Sequence, residues 1–224
     1  HHGFCDVSLL RTLPDAALLA PIDEPSLVAA LEFMRTYDEG LSAVRYPRDD
    51  VSTRFAPLDC PAFELGKARL LTSEFENLDE NRPDAAVLAF GTPAIDAMTA
   101  VDELGADFKV AVWDARFAKP VDRGVIESLL RRNIPIVTVE DHTVVGGFGS
   151  AVLECAQELG LDGSKIVRLG LPDEWIIQDS RASQLALSRA GSLPQGRLSE
   201  QARSQPPSAE FGVQGDLSVE HLGH

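Results

Sequence analysis

Apolar positions along this chain change their period as it is read. Short runs in which Val, Ile, Leu and Ala follow one another read as buried strands. Between them apolar residues return every third or fourth position, as one face of a helix does. Ala16 to Ala20 and Ser42 to Tyr46 are two such runs, the second closed by Pro47. Between them Asp23 is placed as an N-cap and Pro25 falls in the first turn. Leu27, Val28, Leu31 and Met34 then form a helical stripe that ends near Gly40. Val7 to Leu13 has a mixed pattern, and Pro14-Asp15 reads as a turn.

A steadier alternation starts further on. Phe63 to Leu71 reads as a first strand, and Ser73 to Pro83 as an acid-rich loop with no apolar face. Ala85 to Phe90 is an apolar strand, after which Thr92-Pro93 caps a helix with Ile95, Met98, Val101 and Leu104 inward and Gly105 at its end. Lys109 to Trp113, Ile136 to Val139 and Ile166 to Leu169 are further strands, and Val121 to Arg132 is a helix with Val125, Ile126, Leu129 and Leu130 on one side. Strands that alternate with helices predict an α/β fold whose mainly parallel sheet is covered on both faces.

The most informative stretch runs from Ile134 to Leu159. A polar turn, Glu140-Asp141-His142-Thr143, leads from its strand into Gly146-Gly147-Phe148-Gly149. Ser150 is placed to cap a helix with Val152, Leu153, Ala156 and Leu159 on one side and Gly160 at its end. Strand, glycine bend and helix also begin a phosphate-binding unit. The cluster lacks both the dinucleotide spacing and the Lys-Ser/Thr ending of a nucleotide loop, so a tight bend or close helix packing is the stronger reading.

Composition narrows the classes. The chain is long enough for one large or two small domains, and a hydrophobic share of 44% supports a packed core. With 35 acidic against 20 basic residues the formal net charge is −15, a field that repels nucleic acid and anionic lipid. Cys5, Cys60 and Cys155 are odd in number and show no metal-ligand spacing, which fits a reducing compartment rather than a disulfide scaffold. No apolar run approaches the roughly 20 residues a bilayer span needs, and the chain reads as soluble. Asp49 to Pro61 loses periodicity and reads as a linker, with a boundary near Ala56; beyond Ser188 the Ser, Gln, Gly and Pro content predicts a disordered tail. The absence of an initiator Met at His1 predicts a piece of a longer protein, although two histidines are also what a purification tag leaves behind.

Six motifs in one order then carry a resemblance. They are His1-His2-Gly3-x-x-Asp6, Ala43-Val44-Arg45-Tyr46-Pro47-Arg48, Asp114-Ala115-Arg116-Phe117-x-Lys119-Pro120-x-Asp122, Val137-Thr138-Val139-Glu140, Gly146-Gly147-Phe148-Gly149-Ser150 and Leu169-Gly170-Leu171-Pro172-Asp173. Over about residues 1 to 180 the series resembles the carboxyl-terminal portion of the 1-deoxy-D-xylulose-5-phosphate synthases, within the transketolase family. The resemblance implies three segments: residues 1–55 as the end of a pyrimidine-binding domain, 56–187 as a transketolase carboxyl-terminal domain, and 188–224 as the tail. It implies a transferase that condenses pyruvate with D-glyceraldehyde 3-phosphate, losing carbon dioxide, on the route to isoprenoids, thiamine and pyridoxal. Thiamine diphosphate and Mg2+ would be held mainly by an amino-terminal part this sequence does not contain, so the chain would be inactive alone. The full enzyme would be a homodimer in the cytoplasm, or in a plastid if eukaryotic.

Two residues acquire roles by the same resemblance. His1 aligns with the family's active-site histidine of Thr-His-x-Gly, and an imidazole suits donation to developing oxyanions near neutral pH. Arg48 aligns with the phosphate-holding arginine of Tyr-Pro-Arg, where a planar cationic fork suits the acceptor; Tyr46 would shape the pocket. The family usually has Gly where Asp49 stands and His-Gly where the chain has Gln178-Asp179-Ser180. Asp114 with Arg116 reads as a structural ion pair or an interface contact, His142 as a surface turn residue and Cys155 as core. Two other readings are a non-catalytic module that packs subunits and a fragment of a transketolase or of a 2-oxo-acid dehydrogenase beta subunit.

Overall fold

The computed structural model describes residues 3–48, 50, 52, 54, 60–105 and 108–173, which lie in one compact unit spanning His1–Ile176. His1 and the tail beyond Ser188 lie outside the described residues, as does most of the linker.

The larger sheet is built from the predicted alternation. Strands β4 (Ala85–Phe90), β5 (Val110–Asp114), β7 (Ile136–Thr143) and β8 (Ile166–Leu171) are parallel, and the short β3 (Arg69–Leu70) adds an antiparallel edge to give the order β3-β5-β4-β7-β8. Helices cover both faces. Leu88 and Phe90 pack with Ile126, Leu129, Phe148 and Val152 of α4 (Arg123–Arg131) and α5 (Phe148–Glu158). Ala89 on the opposite face meets Ala94 and Ile95 of α3 (Pro93–Leu104). The alternation of inward faces along β4 follows from the two-residue period of a strand.

A second sheet of three strands has the order β2-β1-β6. Strands β1 (Ala17–Leu19) and β2 (Ser42–Val44) are parallel and flank α2 (Glu24–Thr36), whereas β6 (Phe117–Lys119) joins antiparallel to β1. Phe117 thereby stacks edge-on with Phe33 and Phe63, at centroid distances of 5.3 and 5.7 Å. Strand β6 is not legible from periodicity, because three residues give no repeat.

The turn from β5 to β6 carries the chain between the sheets. Arg116 stands there at φ 57, and its carbonyl accepts from the Ala20 amide at 3.0 Å. Its guanidinium lies over the Phe63 ring at 4.4 Å and donates to the carbonyls of Ala62 and Pro61. Asp114 accepts from the Arg116 amide at 3.0 Å, and both side chains are buried, so this pair is structural.

Several expected features differ. The α2 stripe is rotated: Ser26 and Ala30 face inward with Phe33, Met34 and Tyr37 at their edge, leaving Val28 62% and Leu31 49% exposed. The aromatic pair and the Asp23–Ser26 capping box set that face instead of the aliphatic residues. Residues 6–10 form a short helix, α1 (Asp6–Leu10). The acid-rich loop buries Phe75, Leu104 at the end of α3 is exposed, and the strand expected over 63–71 shortens to β3.

The side chains of Asp114 and Arg116 stand 3.7 Å apart, and neither Asp114 Oδ2 nor Arg116 Nε makes a hydrogen bond. Attraction across that gap is too weak to offset desolvation, and burial pushes the Asp114 carboxyl up to about 7. A carboxyl that keeps its proton in the folded state while the unfolded chain has lost it makes stability fall as pH rises through that window. In urea unfolding, wild type is expected to lose stability between about pH 4 and about pH 7, and Asp114→Asn to lack that decline.

Candidate functional site

Open α/β sheets bind ligands beyond the carboxyl ends of their strands, at a change of strand direction. Here that edge lies past β7, β4 and β1, and the sequence places polar residues on it. The expected polar turn 140–143 is instead the last half of β7: Glu140 is 3% exposed, His142 0% and Thr143 8%. Strand alternation accounts for this, since 138, 140 and 142 continue the inward face that begins at Ile136.

Each buried group in that half-strand is satisfied. The Glu140 carboxylate accepts from the amides of Phe148 and Gly149, at 2.7 and 2.8 Å, and so fills the anion seat at the start of α5. The helix begins at Phe148 with Gly147 as N-cap. Ser150 therefore lies inside the helix rather than capping it, and its hydroxyl donates to the Val144 carbonyl. A phosphate on the glycine bend is excluded by the carboxylate already there. The glycines serve close packing: a Cβ at Gly149 would stand 2.5 Å from Thr138 Oγ1, and one at Gly147 would strike His142 Nδ1 and the Glu140 carboxylate. Burial raises the Glu140 pKa, an effect opposed by its two amide hydrogen bonds.

His142, read from sequence as a surface residue, sits at the centre. Nδ1 lies 2.8 Å from the Thr143 carbonyl and Nε2 is 3.4 Å from the Ser8 amide that donates to it, which places the single proton on Nδ1. Burial lowers its pKa and keeps the ring neutral, with Asp6 and Glu140 each 3.6 Å away. Beside it Arg45 is clamped between Asp6, at 3.1 Å, and Asp141. Burial pulls the Arg45 pKa down, but these two carboxylates outweigh it and hold the guanidinium charged. Arg11 closes the base through the carbonyls of Gly146 and Gly147 and the carboxylate of Glu154.

Of the residues expected at the site, Arg48 lies on the exposed bend after β2 and Tyr46 is 64% exposed. The structure thus separates the two arginines of Arg45-Tyr46-Pro47-Arg48: the first is neutralised by two carboxylates, and the second, among the described residues, has no ion pair. His1 lies outside the described residues, although the segment that follows it is fixed to β7 by the Thr143 amide donating to the Phe4 carbonyl at 3.0 Å. A cavity of about 50 Å³ between Asp6, Leu10, Leu18, Val44, Arg45 and Phe90 holds no more than a water or two. At this edge a substrate therefore needs a further wall. Among the described residues no three His, Cys, Asp or Glu side chains converge as metal ligands, and the helix start that could seat a diphosphate is taken by Glu140. That helix start is therefore not a seat for the diphosphate of thiamine diphosphate. Among the described residues, too, no helix is long and apolar enough to cross a membrane.

Comparison with known proteins gives one direction. A sequence profile described as "Transketolase, C-terminal domain" matches residues 76–190. The chain is 39% identical over 179 residues to 1-deoxy-D-xylulose-5-phosphate synthase 1 of Geobacter metallireducens, covering 80% of this chain and 27% of that protein. It is 38% identical over 174 residues to 1-deoxy-D-xylulose-5-phosphate synthase of Bacillus cytotoxicus, covering 77% and 26%. The chain spans about a quarter of the length of these curated relatives. A solved structure described as "Split gene transketolase, inactive beta4 tetramer" superposes with a TM-score of 0.64 at 25% identity, over 81% of this chain and 56% of that one.

Two stability measurements check the polar half-strand. Glu140→Ala leaves two buried amides without an acceptor and is expected to cost about 2–4 kcal/mol in urea unfolding, with Glu140→Gln recovering part of it. His142, whose folded pKa lies below its ordinary 6.5, contributes stability that is present above that value and lost as pH falls through it. The stability gap between wild type and His142→Asn should therefore narrow from about pH 8 to about pH 5.

Proposed function

Because the chain belongs to the transketolase C-terminal domain family, we propose that it supplies the acceptor-binding side of a thiamine-diphosphate-dependent 1-deoxy-D-xylulose-5-phosphate synthase. Identity of 36–39% to several such synthases over about four-fifths of this chain supports the assignment. In this reading residues 1–55 complete a pyrimidine-binding domain and 56–187 form the carboxyl-terminal domain. The reaction joins pyruvate to D-glyceraldehyde 3-phosphate with loss of carbon dioxide, and the cofactor supplies the activation of pyruvate. Both thiamine diphosphate and Mg2+ belong to polypeptide other than the described residues.

The observation that carries the site assignment is the exposed guanidinium of Arg48, one bend beyond a strand's carboxyl end and apart from the carboxylates that neutralise Arg45. A phosphate dianion approaching this edge meets a cation with bidentate geometry. His1, four residues before Cys5, donates a hydrogen bond to oxygen atoms that gain charge, and Tyr46 flanks the entrance. The chain alone is inactive in this reading and packs against the cofactor-binding part, a homodimer in the assembled enzyme. The similar split-gene transketolase, an inactive beta4 tetramer, favours such a division of labour.

The test is reconstitution. The chain is mixed with, or joined to, the polypeptide that binds the cofactor, and pyruvate-dependent carbon dioxide release is followed with and without the acceptor. Activity is expected only in the combination; its absence under every pairing counts against the reading. Arg48→Ala is expected to raise the apparent KM for D-glyceraldehyde 3-phosphate about tenfold or more while changing that for pyruvate by less than about twofold. Equal effects on both substrates would remove Arg48 from this role.

A further inference from the structure

Arg45 cannot itself take a phosphate, since two carboxylates already neutralise it, yet it stands three residues before Arg48. Its main-chain amide donates to the Leu19 carbonyl at 2.9 Å, the last such bond among the described residues that ties this segment to the sheet. Beyond it Pro47 has no amide hydrogen to donate, and Tyr46, Pro47 and Arg48 are exposed. The Arg45 side chain adds a second hold at the start of the bend. Asp141 holds that side chain twice, through its carboxylate on Nη1 and its carbonyl 3.4 Å from Nη2.

The other partner, Asp6, sits at the start of a five-residue helix. Asp141 belongs to an eight-residue strand that pairs with β4 as far as Glu140 and with β8 up to Val139 and again at Thr143, so it is flanked on both sides by paired residues. The β7–β8 ladder is irregular at this point: Val139 pairs with Leu169 but Thr143 pairs with Leu171. Such bulges re-aim side chains and gather next to active sites. Here the bulged stretch carries Asp141, which points to Arg45, and His142, which accepts the Ser8 amide.

We propose that Asp141 is a positioning residue: by holding the Arg45 guanidinium it orients the Tyr46-Pro47-Arg48 bend for the acceptor's phosphate. Strand β7 then does more than support packing, because it sets the geometry of a binding residue nearly one hundred positions earlier. This deepens the reading of Arg48 given above and rests on it. Asp141 touches no substrate in this scheme and acts only through Arg45.

The experiment uses the reconstituted enzyme with Asp141→Ala, Asp141→Asn and Arg48→Ala in parallel. Asp141→Ala should raise the KM for D-glyceraldehyde 3-phosphate about tenfold, leaving kcat and the KM for pyruvate within about twofold. Asp141→Asn, which keeps an acceptor oxygen for Nη1, should recover most of the difference. In the chain by itself, tryptic cleavage after Arg48 should be several times faster in Asp141→Ala. An unchanged acceptor KM in Asp141→Ala beside a raised one in Arg48→Ala overturns the inference and leaves the reading of Arg48 standing. No effect in Arg48→Ala overturns that reading, and the role of Asp141 with it. A uniform loss of kcat and of both affinities in Asp141→Ala, unrelieved by Asp141→Asn, shows a structural role only and also overturns the proposal.

Discussion

A strand that runs into the interior with polar side chains must find a partner for each of them, and the last half of β7 is organised by that requirement. Glu140, His142 and Thr143 are buried at the carboxyl edge of the larger sheet, where an unmatched charge or donor would cost several kcal/mol. The start of α5, residues 4–11 and the end of β2 are all drawn to this half-strand by the hydrogen bonds it needs. Glu140 takes the helix amides, His142 takes the Ser8 amide, and Asp141 takes Arg45. The segment before β1 has only a five-residue helix of its own, and its position follows largely from these contacts.

This arrangement separates two kinds of cation that the sequence presents side by side. Arg116 is buried among carbonyls beside Asp114, Arg45 is half-buried between two carboxylates, and both hold segments together. Arg48 is exposed. A buried ion pair adds little net stability but fixes geometry, because breaking it strands a charge. If Arg48 holds the acceptor's phosphate as proposed, that is the property its support requires. The acidic balance of the chain is compatible with that proposal: a field that repels polyanions does not prevent one local guanidinium from taking a small phosphate at contact distance.

Much of the larger sheet is legible in the sequence, since strands such as β4 and helices such as α4 announce themselves by uninterrupted apolar runs and by stripes of 3.6 period. The misreadings have a common cause. Polar letters at 140–143 read as a turn because periodicity cannot distinguish a solvated polar residue from a buried one with partners. Those partners, at Asp6, Ser8 and Arg45, are about one hundred or more positions away. The inward face of α2 departs from its apolar stripe for a related reason: Val28 and Leu31 are apolar, but the sheet of β1 and β6 selects the face that carries Ala30 and Phe33.

By itself, then, the sequence determined the α/β class, the order of the parallel strands along the chain, the helix starts at Asp23 and Thr92 and the likeness to the transketolase family. All of these depend on residues close together along the chain or on motifs in order. Only the tertiary structure decided that β6 would leave one sheet to complete another, that Glu140 would occupy the helix start in place of a phosphate, and that Arg45 would be spent on Asp6 and Asp141 while Arg48 faced solvent. Each of those outcomes turns on which distant group reaches a buried charge or donor first. The energy that settles it is desolvation, which exists only once the chain has closed around the site.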